Sequence, residues 1–244
     1  MKRKLIIFII MTLIILIFKN YQLVLSSTID GVNIWFYKVF PYLFIMIIIQ
    51  DLLINLDFAN LFKRTSTYIF FMSIISGSPS NAYIISKLVK EGKITKEYGN
   101  ICLIFTFFTN PLFLYSILNL IFNSLYMTIK IMIIIYISNF IIYFYYKKDL
   151  PVANMYGKSS NINLPSSIKS SINTNLMVLG SIVFYFIISN ILINTFNIGY
   201  PFDIFLRGLL EMTQGLNDVI YLNSDIKVIT TIIFINKVNC NTFI

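Results

Sequence analysis

The sequence predicts an all-α polytopic membrane protein. Three observations carry this. Hydrophobic residues make up 57% of the 244 and charged residues only 12%, whereas a soluble domain carries about 25% charge. Several apolar runs approach the roughly 20 residues that cross a bilayer as a helix, giving about 6–8 hydrophobic segments in all. The runs are continuous and do not alternate, which argues against a membrane barrel. Mean hydropathy is +0.80, so the lipid bilayer is the expected partner.

The segments follow in order. "MKRKLIIFIIMTLIILIF" has the basic and apolar parts of a signal peptide but no small-residue cleavage site. It reads as an uncleaved span over about 5–25, with its N-terminus in the cytoplasm. A second span, about 34–54, contains Pro41 and ends near Asp51. Lys63 and Arg64 then place the next loop inside. The segment 66–86 follows, then the lysine-rich "KLVKEGKITKEYGN", then an apolar run 100–122 interrupted at Asn110-Pro111. Span 126–146 ends in Lys147-Lys148. The polar stretch 147–171 reads as a cytoplasmic loop, and 174–196 as a span. A weaker segment, 202–222, holds Arg207, Glu211, Gln214 and Asp218. A last apolar run begins near 226 and ends in "NKVNCNTFI".

The +9 net charge lies in short clusters between apolar runs. That pattern marks cytoplasmic loops and gives no reason to expect nucleic acid. Cys102 reads as a packed residue within an apolar run. With two cysteines and no histidine, neither a disulfide framework nor a metal site is expected. There is no carboxylate pair at a useful spacing, no Ser/His or Cys/His arrangement and no phosphate loop. The reading is therefore not an enzyme, and no cofactor is expected.

Segment 66–86 carries the first candidate site. In its middle stand Ser76, Gly77, Ser78, Pro79, Ser80 and Asn81. If the segment crossed the membrane, the loop with Lys87, Lys90, Lys93 and Lys96 would lie outside, against the positive-inside rule. If it turns back at Gly77-Ser78-Pro79, that loop stays inside and the later spans obey the rule. Each arm, 66–76 and 80–88, has about half the length of a spanning helix. The reading is a re-entrant hairpin; the alternative is an ordinary kinked span. Gly77 suits the left-handed end of the first arm, Pro79 the first turn of the second, and Ser78 and Ser80 its cap. Irregular backbone at membrane depth is tolerated only when buried in protein or lining a wet cavity, so the tip is a candidate for binding a small polar solute.

Asn110-Pro111 makes the second break. Pro111 removes a helical hydrogen bond, and Thr109 and Asn110 place polar groups beside the freed backbone. A hairpin tip followed by an interrupted helix is a transporter-like arrangement; a proline kink between packed helices is the alternative. The segment "YPFDIFLRGLLEMTQGLNDVIYL" reads as the counterpart in an inverted second repeat. It has an apolar arm, a polar centre with Glu211, Thr213, Gln214 and Gly215, and an apolar return. An ionisable group at membrane depth is a functional candidate. The alternative is a Glu211 near an interface, paired with Arg207 one turn away.

These residues resemble a known family. "SIISGSPSNAYIISKLVKEGKITKEYGNICLIFTFFTNPLF" is similar to the first block of the sporulation integral membrane proteins that carry the nucleoside-recognition (Gate) domain. Ser76, Gly77, Pro79, Ala82, Gly92 and Asn110-Pro111 carry the likeness. Leu210-Glu211-Met212-Thr213-Gln214-Gly215 resembles the second-half block, and the resemblance covers about 35–235. It implies a multi-pass cell-membrane protein of the endospore-forming cell, in the forespore or mother-cell membrane and linked to spore cortex assembly. It also implies nucleoside-permease relatives and no established substrate. Spore-assembly membrane proteins or a second copy of the chain are the partners it suggests.

On that basis, 1–33 is an N-terminal anchor and 34–146 the first Gate-like repeat. Residues 147–171 are a cytoplasmic loop, 172–235 the start of the second repeat, and 236–244 an aberrant tail. The family continues after its second block into a Gly-rich break and further spans. Here "VITTIIFI" runs straight into Asn236, so the expectation is a C-terminally truncated or frame-shifted copy. A small-solute permease outside sporulation and a non-transporting membrane scaffold are the other readings.

Overall fold

A computed structural model describes residues 2–56, 58–77, 80–90, 92–106, 108–147, 164–222 and 224–241. Every element among them is helical. The first half begins with α1 (Lys2–Lys19), α2 (Tyr21–Ile34), a π-helical turn (Trp35–Val39) and α3 (Phe40–Asn55). The short helices α4 (Thr65–Ser76), α5 (Ser80–Lys90), α6 (Lys96–Phe105) and α7 (Pro111–Phe122) follow, then α8 (Leu125–Tyr146). The second half holds α9 (Leu164–Phe196), α10 (Phe202–Leu210), α11 (Met212–Asp218) and α12 (Ser224–Asn241). Among the described residues three rods are long and apolar enough to cross a membrane: Tyr21–Asn55, α8 and α9. Their outer faces are greasy, as with Ile141, 65% exposed. Such surface is stable against hydrocarbon and costly in water, so the protein is membrane-embedded.

The first rod differs from the sequence expectation. Two spans, at about 5–25 and 34–54, were expected; the chain instead bends at Asn20 and runs helically from Tyr21 to Asn55. Its polar stretch Ser26–Asn33 stays helical because tertiary contacts satisfy it. Gly31 lies against Val183 and Phe186 of α9. Asn190 of α9 donates to the buried Ser27 hydroxyl at 2.8 Å. Pro41 explains the π turn. It offers no N–H to the carbonyl four residues back, and the Phe40 N–H reaches Trp35 O instead, the wider spacing of a π turn.

The helices α4, α5 and α6 run up, down and up. At one end Thr67 and Tyr143 share a hydrogen bond at 2.9 Å, and Leu88, Ile94 and Tyr98 join the same cluster. Near that end, Gly99 of α6 faces Val89 and Ile85 of α5. At the other end the Asn81 amide donates to Thr106 O. α6 and α7 lie end to end along α8, which packs against both. At about 1.5 Å per residue α8 is about 33 Å long, while α4, α5 and α6 measure about 15–18 Å. They are half-length elements beside a full-length one.

α9 begins at Leu164, ten residues before the expected start at 174. Its early serines are absorbed into the packing: Ser171 donates to Phe44 O of α3 at 2.9 Å, and Ser167 is buried. α10 and α11 form a tight hairpin. A Cβ on Gly215 would meet Gly208 Cα at 2.1 Å, and one on Gly208 would meet the Phe234 ring of α12 at 2.2 Å. Two bare backbones and one aromatic ring fill that contact. α12 continues as a helix through Asn241.

Candidate functional site

The two breaks face each other. Gly77 ends α4 with φ +68° and ψ −178°, a region essentially reserved for glycine. The expected positive φ is present, but ψ is extended and not that of a left-handed helix end. The unusual turn brings the tip onto the second break. A Cβ at Gly77 would meet Asn110 N at 2.4 Å and Asn110 Cα at 2.6 Å. Ser78 and Pro79, and the side chain of Ser80, lie outside the described residues; Ser80 opens α5.

Asn110 ties the tip to the interrupted helix. Its Oδ1 accepts from the N–H groups of Leu112 at 3.0 Å and Phe113 at 3.1 Å, capping α7. Its Nδ2 donates to Ser76 O at 3.3 Å. Pro111 occupies the first turn of α7, where no N–H is needed. Ser76 and Asn81 are both buried. The Ser76 hydroxyl turns back to Met72 O at 2.9 Å, and Asn81 is spent on Thr106. These two hold the tip together.

In the second half Glu211 is the break. Its backbone is extended, φ −139° and ψ 118°, between α10 and α11. The carboxylate accepts from Gln214 N–H at 2.6 Å and from the Thr213 hydroxyl at 2.8 Å. Glu211 thus caps α11, the position and role that Asn110 has for α7. Arg207 does not take it. Arg207 pairs with Asp218 at 2.9 Å; its carbonyl still accepts from the Glu211 N–H at 2.7 Å, while the Glu211 carboxylate is engaged by α11.

A cavity of about 1210 Å³ joins the two. Thr109, Asn110 and Phe113 line it from the first half, and Glu211, Met212 and Thr213 from the second. Of the candidate residues, then, Thr109, Asn110, Glu211 and Thr213 share one space. Gly215 lies behind, against Gly208.

Two polar groups have partners that the sequence does not indicate. Gln214 accepts from Ser189 at 2.8 Å and reaches Asn190 at 3.4 Å, linking the second hairpin through α9 to Ser27. Lys38, on the π turn, donates to Asn217 beside Asp218 and Arg207. Each partner lies far off in sequence, so only the polar residue in an apolar run could have signalled it. Comparison of the chain with protein-family models, with curated proteins and with solved structures finds no match in any of the three.

Proposed function

We propose that the chain is a multi-pass membrane protein with a transporter-like core, whose two breaks bind a small polar solute between them. The observation that carries the reading is the convergence of Asn110 and Glu211 on one cavity. Both are helix caps at the tips of half-length elements. Broken helices meeting at membrane depth are how many secondary transporters build a midplane site. In this reading α4–α5 and α10–α11 are re-entrant hairpins, and α6–α7 together make one interrupted span. Lys63, Arg64, the 87–96 lysines and Lys147 then share one face, the cytoplasmic one, as the positive-inside rule asks; an N-terminus on that same face requires α1 to cross the bilayer as well. The family resemblance adds the setting: endospore formation and spore cortex assembly, with nucleosides the first solutes to test.

Purified protein in liposomes, offered a panel of radiolabelled nucleosides, tests the site. Saturable binding or uptake lost in Glu211→Gln and Asn110→Ala supports it; no binding by any member counts against it. Topology is tested with Lys90→Cys in a Cys240→Ser background, since Cys102 is fully buried. Labelling from the cytoplasmic side alone is expected, and labelling from outside removes the hairpin. Loss of heat-resistant spores on deletion, with normal vegetative growth, is the expected cellular result.

A further inference from the structure

The same cavity is open along one side, and its open side is not built for water. Three helices present stripes to it. On α9 the lining runs from Thr174 to Tyr185 and includes Met177, Gly180, Ser181 and Phe184, spaced i, i+3, i+4 and i+7. On α5 the positions 82, 85, 86 and 89 follow the same spacing, and on α6 the positions 96, 99, 100 and 103. Met177 is 76% exposed and Phe184 52%, so the α9 wall continues onto the outer, lipid-facing surface of the rod. The groove runs from Lys90 and Lys96 at one end to Asn110 and Glu211 at the other. That is the length of α6, about 15 Å, or half of a bilayer core of about 30 Å.

We propose that this groove is a lateral binding site for an anionic phospholipid of the cytoplasmic leaflet. The headgroup phosphate lies between Lys90 and Lys96, both exposed at the groove mouth. One acyl chain lies along Ile85, Val89, Leu103 and Phe184, reaching toward the midplane. Charge decides the occupant. A purely apolar groove would take any lipid tail, but lysines placed one leaflet deep from the tips select a negative headgroup. The inference rests on the half-depth hairpin topology proposed above and does not depend on a solute being bound at the tips.

Native mass spectrometry of the full chain tests it, with dioleoylphosphatidylglycerol and dioleoylphosphatidylcholine offered in equal amounts. The wild type is expected to retain the phosphatidylglycerol preferentially. A lysine near an anionic lipid surface is worth about fivefold in affinity, so Lys90→Gln with Lys96→Gln should cost roughly 30-fold in that preference. Lys63→Gln with Arg64→Gln, outside the groove, should leave it. Gly180→Leu adds bulk to the groove wall at a position where a Cβ meets nothing within 4 Å and should reduce retention of both lipids, with size-exclusion chromatography checking that it folds. Wild-type preference in both groove variants overturns the proposal. So does a dimer cross-linked through Met177→Cys, which would make a second copy the occupant. Failure here with cytoplasmic labelling of Lys90→Cys intact leaves the topology standing; failure of that labelling removes the topology itself.

Discussion

Gly77→Ala tests how tightly the first tip is built. The chain offers its own control. Gly92 shares the φ of +68° with Gly77, but a Cβ at Gly92 would meet nothing within 4 Å. At Gly77 the same atom would stand 2.4 Å from Asn110 N, 2.6 Å from Asn110 Cα and 2.9 Å from Thr109 C. All three are backbone atoms, so no side chain can swing aside. Gly92→Ala should therefore cost only the positive-φ penalty, about 1–2 kcal/mol. Gly77→Ala adds overpacking, about 2 kcal/mol more, on top of a backbone region, at ψ −178°, that is essentially closed to residues with a Cβ. For a chain of this size the excess corresponds to about 4–8 °C in melting temperature. The assay is thermal unfolding in one detergent, followed by size-exclusion chromatography of the surviving monodisperse protein. If the two variants melt within a degree of each other, the tip does not press on Asn110 and the proposed junction is wrong.

The remaining predictions use the same assay. Gly215→Ala drives a methyl into Gly208 and should destabilise by about 1–3 kcal/mol, with Gly180→Ala neutral or slightly stabilising as the control. Asn110→Ala loses a cap worth about 0.5–2 kcal/mol together with the bond to Ser76 O, and Asn110→Asp should recover little of it, because it keeps the acceptor but turns a buried oxygen onto the Ser76 carbonyl. Arg207→Ala strips the cation from Asp218, whose side chain is only 15% exposed. The double variant with Asp218→Ala should fall short of additivity by about 0.5–3 kcal/mol, and strict additivity would refute the pair.

The breaks were legible because their residues cannot do otherwise. Pro111 cannot continue a helix, and its Asn110 neighbour is a strong cap. The half-length arms and the lysines that follow them announced a turn. What stayed hidden depended on partners distant in sequence. Ser26–Asn33 looked like a loop, yet α9 supplies Asn190 for Ser27 and a surface for Gly31. Leu164–Ser171 looked like part of a polar loop, yet Phe44 O accepts from Ser171. Gly215 looked like a site residue because it sits in a polar cluster; its lack of a side chain is what lets two backbones touch. Helical spacing offered Arg207 as an alternative partner for Glu211, and the backbone keeps that spacing; Thr213 and the Gln214 N–H take the carboxylate instead.

The π turn at Trp35–Val39 has a consequence for reading this chain against others. From Ser27 to Ile47 the buried positions of its rod, Ser27, Gly31, Trp35, Val39, Leu43 and Ile47, recur every four residues. On a regular α-helix such a stripe would drift by about 40° per step, and the wider turn takes back part of that drift. Deleting any one residue from 35 to 39 would restore a regular helix. The residue it removes is the extra one of the wide turn, so Ser27 and Gly31 keep the face they present to α9. Aligned with a chain whose rod is regular, this sequence therefore calls for a one-residue gap inside an unbroken helix, where gaps are ordinarily forbidden.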